Sequence, residues 1–201
     1  NRWTELLVIG IYTYKHTGSP LIVALIAFLN TVPGALFGVL IGAIAERFQK
    51  RTLLLLGYSF SLMVMIVLLY LALSYKLMLW HLALGTFLSG SVGTMEYPIR
   101  RTLLGEISGL ERASTALTFD VASGKITMFI GPLLGGVLMH NFGIYSFYLL
   151  AIGLLGFALL FVSQLQLTPM AVQTQTVHFL RSMRDGLTHA KNNKPILSVL
   201  L

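Results

Sequence analysis

Charged side chains inside apolar stretches are the residues best placed to do chemistry in this chain. Arg2, Glu5, Glu96, Asp120 and Lys125 lie within such stretches, and Arg100 lies near the end of one. A charge at the centre of a membrane helix costs about 2.5–3.5 kcal/mol on insertion scales, so each is a candidate for function. A carboxyl withdrawn from water favours its neutral form unless a cation offsets it. Such a group can take up and release a proton near neutral pH. Glu96 and Arg100 are four residues apart and face the same way, which allows a simple ion pair along one helix. The sharper expectation gathers Glu96, Arg100, Asp120 and Lys125 into one buried polar network.

Other chemistries lack their residues. The chain has no cysteine, which excludes disulfides, zinc–cysteine sites and thiol nucleophiles. Its histidines are His16, His81, His140, His178 and His189, all at helix ends or in a polar segment. None is paired at ligand spacing. No catalytic residue, metal site or cofactor is therefore expected, and a membrane enzyme is disfavoured.

The elements that must position these charges are membrane helices. Only 10% of the 201 residues are charged and 56% are apolar, with a mean hydropathy of +0.81. Soluble domains carry about 25% charged residues. The apolar residues fall in blocks at roughly 3–14, 21–45, 52–74, 77–100, 113–139 and 142–162. About 20 such residues cross about 30 Å of hydrocarbon. The blocks are continuous and too long for barrel strands, so helices follow. The first block is short and the chain starts at Asn1, so the first helix is expected to be truncated.

The net charge of +7 is distributed by side. The connections after the second, fourth and sixth blocks hold Arg47, Lys50, Arg51, Arg100, Arg101, Arg112, Arg181, Arg184, Lys191 and Lys194. The opposite connections hold Lys15 and Lys76. The basic side of a membrane protein is cytoplasmic. This places the N-terminus and the segment after the sixth block in the cytoplasm and the spans in the plasma membrane. It also argues against nucleic acid, which would need the cations on one soluble face. In this orientation Glu5 lies near the midplane, at a rise of about 1.5 Å per residue. Glu96 and Asp120 share a depth in the inner half, and Lys125 lies about 7 Å further out.

Residues 163–194 break the apolar pattern. A Gln- and Thr-rich stretch leads into Val177–Asn193, where Leu180, Met183 and Leu187 recur at helical spacing. A cytoplasmic linker with an interfacial helix is expected there. Residues 195–201 read as the start of a seventh helix, so the sequence reads as part of a longer chain. A short echo, Gly42-x-x-x-Glu46-Arg47-Phe48 against Gly136-x-x-x-His140-Asn141-Phe142, falls at matching turns of two three-helix units.

Glycine marks two further segments. Gly34, Gly38 and Gly42 share one face of the second helix, so another helix can approach closely. That contact is either static packing or a sliding surface between bundles. Gly131-Pro132-Leu-Leu-Gly135-Gly136 predicts a kink in the fifth helix.

Gly42-Ala-Ile-Ala-Glu46-Arg47-Phe-Gln49-Lys50-Arg51 is similar to the loop signature of the major facilitator superfamily, and it stands between the second and third helices as it does there. It departs from that signature at Glu46, where Asp is usual, and at Gln49, where Gly is usual. Gly131-Pro132-x-x-Gly135-Gly136 resembles the antiporter signature of the same superfamily, with Thr127 in place of its upstream glycine. Thr17-Gly18-Ser19-Pro20, Trp80-His81 and Glu96-Tyr97-Pro98-Ile99-Arg100 resemble the branch of enterobactin and macrolide exporters. The resemblance implies an all-α membrane fold of twelve helices in two six-helix bundles, with this chain as the N-terminal bundle. It implies alternating access, a small-molecule substrate, protons as coupling ion and the C-terminal half of the same chain as partner. It gives Glu46, Arg47, Lys50 and Arg51 a gating role with Gly42. It also places Glu5 on a helix that lines the central cavity, as a coupling or substrate residue. Export of a drug- or siderophore-like amphipathic molecule is the leading function. An importer on the same scaffold and a non-transporting receptor remain as alternatives.

Overall fold

The computed structural model describes residues 2–38 and 48–165, which form six helices. Helix α1 is Arg2–Thr17. It stops because Gly18 takes a left-handed conformation (φ 63°) and returns its N–H to the Tyr14 carbonyl at 2.8 Å. Pro20, whose missing N–H costs nothing in a first turn, then opens α2. Helix α2 runs over Pro20–Leu29, tightens at Asn30 and Thr31, and resumes over residues 32–38. The break precedes Pro33, which cannot donate to the preceding turn. Helix α3 is Lys50–Leu73 and α6 is Ile144–Gln164.

Between them stands a helical hairpin, α4 over residues 79–108 and α5 over Glu111–Phe142. Gly109 reverses the chain with φ 70° and ψ 166°, a region essentially restricted to glycine. Among the described residues, four segments are long and apolar enough to cross a membrane: Pro20–Gly38, Lys50–Leu73, Glu111–Phe142 and Ile144–Gln164. The fourth helix extends past the expected limit near 100, because Arg100, Arg101 and Glu106 end the apolar run without ending the helix. A water-exposed helix continues until its capping residue, here Gly109.

Two apolar clusters hold the bundle. One draws on all six helices, with Val8, Ile26, Leu68, Leu82, Met139 and Phe147 among its members. The other joins Leu53, Leu54 and Tyr58 of α3 to Ile99 and Leu103 of α4, near the basic end. Large apolar side chains such as Phe119, Phe129 and Leu133 of α5 stay exposed, as expected where lipid is the solvent. Lipid gives no hydrophobic drive to helix pairing, so small residues set the closest contacts. Gly90 of α4 meets the Asn30 backbone of α2, and Gly131 and Gly135 of α5 meet Thr4 of α1. Gly34 and Gly38 face Thr94 of α4, so this part of the glycine stripe packs within the bundle.

Gly42, Glu46 and Arg47 lie outside the described residues, as do the seventh-helix start and all but the first residues of the linker.

Candidate functional site

Two polar clusters sit inside the bundle, at different depths. The first surrounds Glu5, whose residue is 5% exposed. Glu5 shares the inner face of α1 with Thr4, Val8 and Ile9. The Ser89 hydroxyl of α4 lies against its carboxyl, and Tyr148 of α6 lies within its field. Even so, Glu5 Oε1, Ser89 Oγ and the Tyr148 hydroxyl complete no hydrogen bond. Thr13 and Thr86 hydroxyls are buried and unpartnered too. Buried polar atoms are paired in the great majority of cases, so this concentration of orphans is unusual. One turn of α1 away, Arg2 Nε donates to Asn30 Oδ1 at 2.6 Å, and Asn30 Nδ2 donates to the Thr86 carbonyl at 3.3 Å. The close approach at Gly90 is what brings Asn30 and Thr86 together.

The second cluster joins α3, α4 and α5. Arg100 lies 3.1 Å from Asp120 Oδ1 and 3.8 Å from Glu96 Oε1. Arg101 adds a 3.8 Å contact to Asp120 Oδ2 and stacks 4.6 Å above the Tyr97 ring. Tyr58 donates to Glu96 Oε1 at 2.9 Å. The hairpin explains the pairing across twenty residues. Arg100 precedes Gly109 by nine residues and Asp120 follows it by eleven, so the two reach the same depth on antiparallel helices.

Ion pairs thus join Glu96, Arg100 and Asp120, of which only Asp120 is well buried. Lys125 is exposed and takes no part in the ion pairs among the described residues. It lies more than a turn beyond Asp120 and faces outward. Tyr58 and Arg101 escape sequence reasoning. Gly57 is the available signal for Tyr58, since a Cβ there would crowd Met95 and Val92 of α4. Close approach of α3 and α4 at Gly57 puts the next residue within reach of Glu96.

Chemically the clusters differ. Asp120 is held by two guanidinium groups, whereas Glu5 has no ion pair among the described residues. A carboxyl without a cationic partner can exchange a proton, or meet a cationic group, without first breaking an ion pair.

The sequence matches the transmembrane secretion effector family over residues 11–201. The chain belongs to this family of the major facilitator superfamily. It is also similar to the staphyloferrin A transporter of Staphylococcus aureus, at 28% identity over 116 residues. That match covers 57% of this chain and 29% of the relative.

Within this major facilitator bundle the signature residues have specific contacts. Lys50 pairs with Glu106 of α4. Arg51 Nε donates to the Val162 carbonyl at 3.2 Å, and its Nη2 donates to the Ser163 carbonyl, capping the C-terminus of α6. Both cations thus bind within the bundle. The Gly131-Pro132-x-x-Gly135-Gly136 segment keeps helical backbone angles throughout, so it does not break α5. Its glycines instead admit α1. A Cβ on Gly131 would stand 2.5 Å from Thr4 Oγ1, and one on Gly135 would stand 2.6 Å from Thr4 Cγ2. The antiporter-like segment therefore packs against the residue next to Glu5.

Proposed function

We propose that this bundle is half of a secondary active transporter that exports small amphipathic molecules in exchange for protons, by alternating access. The buried, unpaired carboxyl of Glu5 supports this reading most directly. A proton-coupled exporter needs a group that binds a proton in one state and yields to substrate in another. Glu5 makes no ion pair among the described residues, although Arg2 one turn away lies within its field, and its neighbours Ser89 and Tyr148 offer hydroxyls with free capacity. Export is favoured by the family's description as secretion effectors, and a drug- or siderophore-like cargo by likeness to a transporter of staphyloferrin A. The basic end, with Lys50, Arg51, Arg100 and Arg101, is assigned to the cytoplasmic side of the plasma membrane. There Lys50 and Arg51, with Gly42, Glu46 and Arg47, would brace the gate between this bundle and a second one.

Proton flux in proteoliposomes tests the proposal. Glu5→Gln is expected to abolish substrate-driven proton movement while substrate still binds. Asp120→Asn, which loses an ion-paired carboxylate, is expected to keep coupling at reduced protein stability. Unchanged coupling in both variants rejects the assignment.

A further inference from the structure

Two further side chains of α1 stand in line with Glu5. Tyr12 follows it by seven residues and His16 by eleven, so at about 100° per residue both lie within about 20° of its direction. The Tyr12 and His16 rings stack with centroids 4.0 Å apart, and His16 Nδ1 lies 2.8 Å from the Tyr12 carbonyl. A carbonyl oxygen only accepts, so Nδ1 carries the ring proton and Nε2 of the neutral ring keeps its lone pair. His16 is exposed in the last turn of α1. Histidine is the side chain whose ordinary charge change lies nearest neutral pH, which suits His16 to collect a proton from solvent.

Tyr148 of α6 stands between this pair and Glu5. It is fully buried, its hydroxyl makes no hydrogen bond among the described residues, and it lies within electrostatic reach of both Glu5 and Tyr12. Long side chains on a helix lean towards its N-terminus, so the Tyr12 hydroxyl leans from the His16 end towards Glu5. An unpaired buried hydroxyl is costly, and packing alone would be served as well by phenylalanine. We infer that Tyr12 and Tyr148 relay protons between His16, at the end of α1, and Glu5. The relay rests on Glu5 being the proton-exchanging carboxyl of the proposed function. In the inward step the His16 imidazolium gives its Nε2 proton to the Tyr12 oxygen as Tyr12 releases its own. Tyr148 repeats the exchange, water molecules bridge the gaps, and the Glu5 carboxylate forms the last O–H bond. His16 loses one N–H, Glu5 gains one O–H, and each phenol and water ends as it began.

Rapid-mixing infrared spectroscopy of the intact protein in detergent tests this. After a drop in pH it follows the protonated-carboxyl band of Glu5, identified by its loss in Glu5→Gln. Tyr148→Phe and Tyr12→Phe should each keep the final band height and the melting temperature. Each should slow the band's appearance about a hundredfold, the low end for one positioned proton-transfer group. His16→Gln should slow it as well, and millimolar imidazole should restore the wild-type rate. Tyr14→Phe, at a residue 54% exposed on the same helix, should change nothing. Wild-type rates in both Tyr148→Phe and Tyr12→Phe overturn the relay and leave the role of Glu5 standing. So does a slow His16→Gln that imidazole does not restore. A wild-type protein with no band that Glu5→Gln removes overturns the relay and the role of Glu5 together.

Discussion

Arg100 sits between two carboxylates, and its removal leaves each in a different condition. Glu96 keeps the Tyr58 hydroxyl, while Asp120, with a side chain 9% exposed, keeps only the distant Arg101. A buried acceptor that loses a charged partner costs about 1.5–3 kcal/mol. Arg100→Gln should therefore lower stability by about that amount, and Asp120→Asn by less, because Arg100 still reaches Glu96 and water. In a double-mutant cycle read by thermal melting in detergent, the coupling energy should exceed about 0.5 kcal/mol. Additive effects would mean the pair contributes nothing. Sequence alone brings these residues to one depth, since depth follows from counting along a helix. It cannot give the direction each side chain faces around its helix, because azimuth depends on packing partners. Lys125 therefore falls outside the network that counting assigns it to, while Tyr58 and Arg101 fall inside it. Glu106, the partner of Lys50, is hidden from the sequence for the same reason.

At the scale of helices, the meaning of the glycines changes. Proline and glycine together predict a kink in α5, and through Pro132 the backbone keeps helical angles. What glycine provides is closeness, at 131 and 135 but not everywhere. A Cβ at Gly124 would meet nothing within 4 Å, and one at Gly136 would make only an ordinary 3.8 Å contact with Leu7. Gly135→Ala should destabilise by about 1–3 kcal/mol through overpacking on Thr4 and Val8. Gly124→Ala should be neutral or stabilising by up to about 1 kcal/mol, from helix propensity. Thr4→Ala removes the crowding Cγ2, so Gly135→Ala with Thr4→Ala should cost less than the two single changes combined. Melting temperatures in one detergent decide this, and strict additivity would place the strain elsewhere. Because Glu5 neighbours Thr4, the same pair offers a way to move Glu5 without altering its charge. The helices themselves are legible from hydropathy, apart from the length of α4. Hydropathy reports where lipid ends, and Gly109 decides where the helix ends.

For the whole bundle the central physical claim is its direction in the membrane. Lys50, Arg51, Arg100, Arg101 and Arg112 gather at one end, where the α4–α5 hairpin turns, and Lys76 stands at the other. Cations resist transfer across a membrane, so the crowded end should stay on the cytoplasmic side. The direction is measurable because none of the 201 residues is cysteine, so a single introduced thiol has no competitor among them. Tyr75, 98% exposed in the turn between α3 and α4, and Glu111, exposed at the start of α5, mark the two ends without entering either polar cluster. A membrane-impermeant maleimide should label Tyr75→Cys in intact cells and label Glu111→Cys only after the membrane is opened. The reverse pattern would turn the bundle over. It would put Lys50 and Arg51 on the outer face. The gate assigned to the cytoplasmic side would then have to be sought at the opposite end, near Lys15 and Lys76.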